Sequence, residues 1–320
     1  MYQSIYYDRK SYTYYLRDDQ TGWSQFQYQP TYWRRVEDWR EGAQPVLTGG
    51  WAVPTKKYDK EDTNLLEKDI DKSLVVLREL YYKYDDVVPE WHNIVYFDIE
   101  IEMGGALTPD YIASAPMPLT SIALIDVTTK QKICLIVDKT KEIKEYNHDG
   151  QHIIPCGSEK ELIKRFLDKL EELDPTILAG YNSEYFDMPY LYFRIKQVLG
   201  EDEVLRLSPI RKVDYRDFNG EHQIVVGGVN HLDYMLLHKK YIMKEEPSYK
   251  LGDIGLKYVN LGKIEYEGNL NTLFKNDINK FIDYNLRDVE IIEKLEDKLK
   301  FINLTIMISH ICNIPYESIY

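Results

Sequence analysis

The segment that decides the fold is Val95-Tyr-Phe-Asp-Ile-Glu-Ile-Glu102. Side chains of a strand alternate between its two faces, so apolar residues fill one face here, and Asp98, Glu100 and Glu102 share the other. A half-buried strand with its polar side in water shows the same alternation. Like charges stacked along one face repel each other, however, unless a cation lies between them. Because Mg²⁺ prefers carboxylates together with phosphate oxygens and water, Asp98 and Glu100 form a candidate divalent-cation site.

The elements that follow this strand indicate an α/β domain. A capping box at Ser158 and Glu161 marks the start of a helix, and Gly200 marks the end of another. Periodicity predicts three strands, a helix, a strand and a helix, in the order 94–101, 119–127, 132–138, 158–170, 176–180 and 189–199. The order βββαβα predicts a mixed sheet with helices on its faces, and a ribonuclease-H-like core is one fold with that order.

The rest of the chain indicates a second domain and a protruding hairpin. Short aromatic-rich strands separated by Gly and Pro turns predict a small β-rich N-terminal domain at 1–92. The α/β domain is predicted over 93–305. Within it, two strand-like runs flank Asn219-Gly220 and indicate a β-hairpin at 212–226. Helical periodicity predicts a long helix at 277–299.

The composition limits the classes of function. The chain has 40 Lys and Arg against 53 Asp and Glu, a net charge of −13, which excludes a protein that coats nucleic acid by neutralising phosphates. The three cysteines include no C-x-x-C pair, which argues against a disulfide framework and a zinc knuckle. The N-terminus is charged, and no apolar run reaches transmembrane length. We therefore expect a cytoplasmic protein with no membrane partner.

Two further acidic groups lie where ligands are often bound. Asp187 lies between the strand at 176–180 and the next helix, although an Asp in that position can simply cap the helix. Tyr284 and Asp288 are four residues apart on one helix face, which is also typical of an ordinary solvated helix. With the two carboxylates of the first strand, these groups place four acidic positions in three elements. That set favours a two-metal phosphodiester site, which needs cations about 3.5–4 Å apart.

Three motifs carry a resemblance to a known family. They are, in chain order, Phe97-Asp98-Ile-Glu100, Asn182-x-x-x-Phe186-Asp187 and Tyr284-x-x-x-Asp288. They resemble the Exo I, Exo II and Exo III motifs of the DEDDy 3′–5′ exonuclease domain of family B DNA polymerases, and the polymerases of tailed phages are the most similar. The similarity covers about residues 90–310, and it is weaker in the N-terminal region. It implies that 93–305 is a ribonuclease-H-like exonuclease domain.

The resemblance also implies a site for two ions, Mg²⁺ or Mn²⁺. Asp98 would bind both ions, and Glu100 and Asp288 would complete the site of the ion that activates water. Asp187 would serve the second ion through water, and Tyr284 would orient the attacking water molecule.

The substrate implied by the resemblance is the 3′ end of single-stranded or frayed DNA. Asn182 and Phe186 would help to position the terminal nucleotide, because a paired terminus cannot enter the pocket. The hairpin at 212–226 would help to pass the strand between two active sites. The activity would be proofreading during DNA replication.

The polymerase motifs of the family are missing from the sequence, since neither Ser-Leu-Tyr-Pro-Ser nor Asp-Thr-Asp-Ser occurs in it. We therefore expect no DNA polymerisation from this chain alone. Residues 306–320 would begin the connection towards a missing polymerase portion. That portion, in the same longer chain or as a separate subunit, is the expected partner, together with other replisome proteins.

Two other functions remain open from the sequence. A free-standing DEDD-type 3′–5′ nuclease could act on RNA, because the core chemistry does not read the 2′-OH. A non-catalytic replisome subunit could bind single-stranded DNA by aromatic stacking. The four crowded carboxylates argue against the second alternative, and the tyrosine-rich N-terminal domain and the hairpin argue against the first.

Overall fold

The computed structural model describes residues 1–84, 87–218 and 220–320, which form two compact units. The first unit comprises Met1–Glu90 and Met307–Ser318, and the second comprises Trp91–Ile306 and Ile319–Tyr320. Most of the segment predicted as a connection therefore belongs to the first unit, and its role as a connection stays a prediction. Asn219, in the predicted hairpin turn, lies outside the described residues.

The first unit is rich in β-structure. Its elements are β1 Tyr2–Asp8, β2 Thr13–Asp18, β3 Gly22–Phe26, β4 Tyr32–Val36, β5 Gln44–Pro45, β6 Trp51–Thr55, β7 Leu65–Leu66 and α1 Lys72–Tyr81. They form two sheets, with the strand orders β1-β2-β3 and β5-β6-β4-β7. The rings of Tyr7 and Tyr14 stack with their centroids 4.5 Å apart, and Tyr14 is buried. Tyrosines thus pack these small sheets, which is a common use of aromatic residues.

The second unit is built on a seven-stranded mixed sheet with the order β11-β12-β10-β9-β8-β13-β16. Its strands are β8 Ile94–Ile101, β9 Leu119–Asp126, β10 Gln131–Val137, β11 Tyr146–His148, β12 Gln151–Cys156, β13 Ile177–Gly180 and β16 Asn230–Asp233. β9 is antiparallel to β8 and β10, whereas β13 runs parallel to both β8 and β16. The predicted hairpin is confirmed as the antiparallel pair β14 Val213–Phe218 and β15 Glu221–Val226.

Helices cover both faces of this sheet. The helices of the second unit are α2 Pro109–Ser114, α3 Glu159–Leu173, α4 Asp187–Leu199, α5 Glu201–Val204, α6 Tyr234–Tyr241, α7 Leu251–Val259, α8 Leu270–Asn276 and α9 Ile278–Leu299, with a 3₁₀ turn at Leu205–Leu207. α10 Phe301–Cys312 and a 3₁₀ turn at Tyr316–Ile319 include residues of both units. Within the described ranges, no helix combines the length and the apolar character needed to cross a bilayer.

The two faces of β8 have different partners. Val95, Phe97 and Ile99 join the hydrophobic core formed with α3 and α4. α9 packs against β8, β9 and β10, which places it over the face that carries Asp98 and Glu100. The predicted mixed sheet with flanking helices is therefore confirmed, and it is consistent with a ribonuclease-H-like fold. The acidic face lies under a helix rather than in open water.

The sequence prediction missed α2, α5, α6, α7, α8, β11, β12 and β16. Asp149 and Gly150 join β11 to β12 with φ values of 53° and 75°, the left-handed pair of a type I′ turn, so Asp-Gly was an available signal. Pro155 argued against a strand, because proline cannot donate to a ladder. β11 pairs with β12 only along Gln151–Ile153, so no donor towards β11 is required at Pro155. The predicted late helix ends at Lys300, whose φ is 58°, and its continuation is the separate helix α10.

Candidate active site

Three of the predicted carboxylates meet between β8 and α9. Oxygens of Asp98, Glu100 and Asp288 lie within 4.8 Å of one another. Asp98 and Glu100 share a face of β8, and Asp288 lies on the buried side of α9, one turn after the buried Tyr284. Oxygen-only ligands at this spacing match what a hard divalent cation prefers.

The carboxylates at this site repel one another and are largely removed from water. Burial, followed by repulsion from Asp187, Asp288 and Glu100, raises the pKa of Asp98 well above its usual range. Burial and the charge of Asp288 raise the pKa of Glu100 to about 8. Burial likewise raises the pKa of Asp288, against the opposing effect of Lys263. Carboxylates that resist ionisation together are stabilised when a cation neutralises them.

Asp187 lies next to this cluster and hydrogen-bonds to the backbone of β8. It is the first residue of α4, and its Oδ1 accepts a hydrogen bond from the Ile99 amide at 3.1 Å. β13 pairs with β8 only as far as the register of Ala179 and Tyr96, so Ile99 lies beyond that ladder. No described side chain caps α4, which makes the simple capping interpretation of Asp187 wrong. Burial raises the pKa of Asp187 to about 7.

Lys263, which the sequence analysis missed, supplies positive charge to the cluster. It lies in the loop between α7 and α8, with its Nζ 2.5 Å from Asp288 Oδ2 and 3.2 Å from the Tyr284 hydroxyl. No described residue hydrogen-bonds to Asp288 Oδ1, which is buried. An oxygen that is free to coordinate a cation, beside crowded carboxylates, fits a divalent-cation site. Nothing in the local sequence around Lys263 indicated that this lysine would lie here.

Asn285 is a second residue that the sequence analysis did not single out, although it lies within the third motif. Its Nδ2 donates to Asp98 Oδ2 at 2.7 Å, and its Oδ1 accepts from the Ser121 hydroxyl at 2.7 Å. Asn285 is fully buried. It therefore fixes the Asp98 carboxylate from α9 and ties that helix to β9.

Replacing Asn285 with Ala should lower the free energy of unfolding by about 1–3 kcal/mol, because Asp98 and Ser121 would lose a buried partner. Denaturant unfolding with and without Mg²⁺ measures the change. Asn147→Ala is the matched control, since Asn147 is exposed and its side chain accepts a hydrogen bond from Gln131 at the surface. This substitution should change stability by less than about 0.5 kcal/mol. Equal effects of the two substitutions would contradict the role given to Asn285.

The two residues predicted to contact a nucleotide lie in the loop before α4. Asn182 is exposed and has a φ of 61°, a left-handed conformation that Asn tolerates. Phe186 is half-buried, and its ring centroid lies 5.6 Å from that of Tyr190. Phe186 thus packs partly against the core, and the nucleotide contacts of both residues stay predictions.

Comparisons with known proteins identify the family. Residues 54–254 match the model of the exonuclease domain of DNA polymerase family B. The chain belongs to this family. The general function of its exonuclease domain is 3′–5′ proofreading, a metal-dependent hydrolysis. The match includes the segments of Asp98, Glu100 and Asp187 but ends before Lys263 and α9. The fold itself therefore brings Lys263 and Asp288 next to Asp98 and Glu100.

Phage polymerases are among the similar proteins. The chain is 35% identical over 171 residues to the DNA-directed DNA polymerase of Escherichia phage RB69, and 31% identical over 170 residues to that of Enterobacteria phage T4. Each alignment covers 52% of this chain and 19% of the phage protein. A DNA polymerase delta catalytic subunit from Glycine max is 24% identical over 84% of this chain and 26% of that protein. The chain thus spans about a fifth of the length of the phage relatives.

Proposed function

We propose that this chain is the 3′–5′ proofreading exonuclease portion of a family B DNA-directed DNA polymerase. It would remove 3′-terminal nucleotides from single-stranded or frayed DNA during replication. The observation that carries this proposal is the group of Asp98, Glu100 and Asp288 oxygens within 4.8 Å of one another. The proposed location is the cytoplasm of the host cell.

The proposed cofactor is a pair of Mg²⁺ or Mn²⁺ ions. Asp98, Glu100 and Asp288 would hold them, and Asp187 would contribute through water. When bound, two such ions lower the pKa of a water molecule and neutralise the charge that develops on a phosphodiester. Two hydrogen bonds hold these carboxylates in place: Asn285 donates to Asp98, and the Ile99 amide donates to Asp187.

Tyr284 and Lys263 would act on the attacking water. Burial and the charge of Asp288 raise the pKa of the Tyr284 phenol, so its hydroxyl keeps its proton at neutral pH and can orient a water molecule. The Lys263 ammonium contacts that hydroxyl and restrains it. Asn182 and Phe186 would position the terminal nucleotide.

The proposed partners are the 3′ end of a DNA strand and a polymerase portion, either in the same longer chain or as a separate subunit. The chain spans only 19% of the phage polymerases that it resembles. We expect no polymerisation from this chain alone, and other replisome proteins are further candidate partners.

A substrate panel tests this function. Wild type and Mg²⁺ are incubated with 5′-labelled single-stranded DNA, RNA of the same sequence, and duplexes with a paired or a mispaired 3′ end. We expect the single strand to be shortened fastest and the mispaired end to be cut faster than the paired end, because fraying is cheaper there. Preferential digestion of RNA would favour a free-standing RNA nuclease. Binding of DNA without cleavage would favour a non-catalytic subunit.

A further inference from the structure

Two side chains of β16 reach the loop 181–186 that precedes α4. His231 and Asp233 are two residues apart in the strand and therefore point to the same side. The Asp233 carboxylate accepts hydrogen bonds from the backbone amides of Asn182 and Glu184, both at 3.0 Å. It also caps α6 through the Met235 and Leu236 amides. Asp233 thus fixes the loop backbone at two points.

The His231 imidazole contacts two side chains of the same loop. Its Nε2 lies 2.9 Å from the Ser183 hydroxyl, and its Nδ1 lies 3.0 Å from Glu184 Oε2. Burial disfavours a charged His231, but Glu184, Asp233 and Asp187 outweigh it and raise the pKa of the imidazole. Burial also disfavours a charged Glu184, but His231 keeps the pKa of that carboxyl below its usual value. Both directions agree with an ion pair in the interior.

Ser183, His231 and Glu184 lie at the distances from one another that are typical of a nucleophilic triad. Ser183, however, has no exposed surface. An acyl substrate could not reach its hydroxyl, so these three residues cannot act as a hydrolase site. They are instead positioned to hold the loop.

The position of this loop determines the position of Asp187. The Ser183 carbonyl accepts the Met188 amide at 3.0 Å, inside the first turn of α4. A Cβ added to Gly180 would lie 2.6 Å from the Ser183 Cβ, so Ser183 packs tightly on the end of β13. A displaced Ser183 would therefore shift the start of α4 and the Asp187 carboxylate bound to Ile99.

We infer that His231 is a positioning residue for the exonuclease site, which holds Asp187 in place through Ser183 and Glu184. This inference rests on the proposed function for its catalytic consequence, but the restraint on the loop can be measured without activity. Glu184 also contacts the hairpin β14–β15, because Gln223 Nε2 donates a hydrogen bond to Glu184 Oε1 at 3.3 Å.

The test compares His231→Ala and Glu184→Gln with His152→Ala. His152 is the matched control, because it lies in β12 of the same sheet and its Nε2 lies 3.3 Å from the Glu145 carboxylate. Hydrogen exchange should become about tenfold or more faster at the amides of 182–188 in His231→Ala. Exchange in β9 and β10 should stay unchanged. Glu184→Gln preserves the side-chain volume and should give a smaller change at the same amides.

Kinetics supply the second readout. The kcat for single-stranded DNA with Mg²⁺ should fall about 10- to 100-fold in His231→Ala while KM changes less than about twofold, because a misplaced carboxylate impairs the reaction and not substrate binding. Unchanged exchange at 182–188, or equal effects of His231→Ala and His152→Ala, would overturn the inference. Faster exchange at 182–188 in His231→Ala, together with a wild type that cleaves no DNA, would instead overturn the proposed function alone.

Discussion

Replacing Asp98 with Asn and Glu100 with Gln should make the metal-free protein more stable at pH 7–8. Both carboxyls have raised pKa values because they are largely removed from water and repelled by Asp187 and Asp288. These two groups therefore hold more protons in the folded state than in the unfolded chain, and their contribution to stability falls as the pH rises. The fall should run from about pH 4, where free carboxyls ionise, to about pH 8, where Glu100 ionises in the folded protein. The double variant should lose much of this slope.

Denaturant unfolding in a chelating buffer between pH 4.5 and 8.5 measures this effect. Glu290→Gln is the matched control on α9. Burial would raise the pKa of Glu290, but Lys132 and Arg287 lower it overall, so its replacement should reduce stability instead. Saturating Mg²⁺ should stabilise wild type and leave the double variant unchanged, since ligands stabilise only a state that binds them. A stability gain of the double variant over wild type that does not grow with pH over this range would contradict the account.

Replacing Lys263 with Met should strongly destabilise the metal-free protein. Asp288 would lose the ammonium 2.5 Å away while remaining buried among Asp98 and Glu100. Removing one partner of a buried pair costs about 3–5 kcal/mol, and partial exposure of Lys263 reduces the expected loss to about 1–3 kcal/mol. Mg²⁺ should restore most of this stability, because the ion supplies positive charge to the same carboxylates.

Thermal unfolding with chelator and with Mg²⁺ tests the Lys263 prediction. Lys294→Met is the control, since the side chains of Lys263 and Lys294 are 39% and 46% exposed and Lys294 pairs with Glu293 and Asp297 on the surface of α9. It should have a small effect that does not depend on Mg²⁺. An equal loss in Lys263→Met with and without Mg²⁺ would show that Lys263 serves packing rather than charge balance.

The elements that could be predicted from sequence are those with local signals. β8 alternates apolar and acidic residues from Phe97 to Ile101, and α9 repeats apolar residues with a helical period, so both were predicted together with the carboxylates they carry. Tyr284 and Asp288 could be assigned to one helix face for the same reason. Periodicity reports which face a residue occupies, and the three ordered motifs supplied the rest of the argument.

The residues that were missed act across large distances in the sequence. Lys263 lies in a loop without periodicity, and its contact with Asp288 depends on how α7 and α9 pack. His231 and Asp233 are noticed only when β16 is placed beside β13, a pairing that no local signal specifies. Such contacts depend on how the strands and helices are arranged, and that arrangement could not be predicted from this single sequence.

The excess of acid has two interpretations that the structure separates. Many of the acidic side chains pair with Lys or Arg at the surface, as Glu145 does with Arg165. The carboxylates between β8 and α9 instead have raised pKa values, and Asp98 and Glu100 are half-buried while Asp288 is buried. The negative charge of this site would repel DNA, and divalent cations would reverse that local charge.

The most direct test of the central claim is the hydrolysis of 5′-labelled single-stranded DNA by wild type and by Asp98→Asn/Glu100→Gln in the presence of Mg²⁺ or Mn²⁺. Wild type should shorten the labelled strand stepwise from its 3′ end and release nucleoside monophosphates, and chelation should stop the reaction. The double variant should be at least about 1,000-fold slower, since two-ion catalysis contributes several kcal/mol and each 1.4 kcal/mol is tenfold in rate. An intact strand with wild type, or equal digestion by the double variant, would contradict the account.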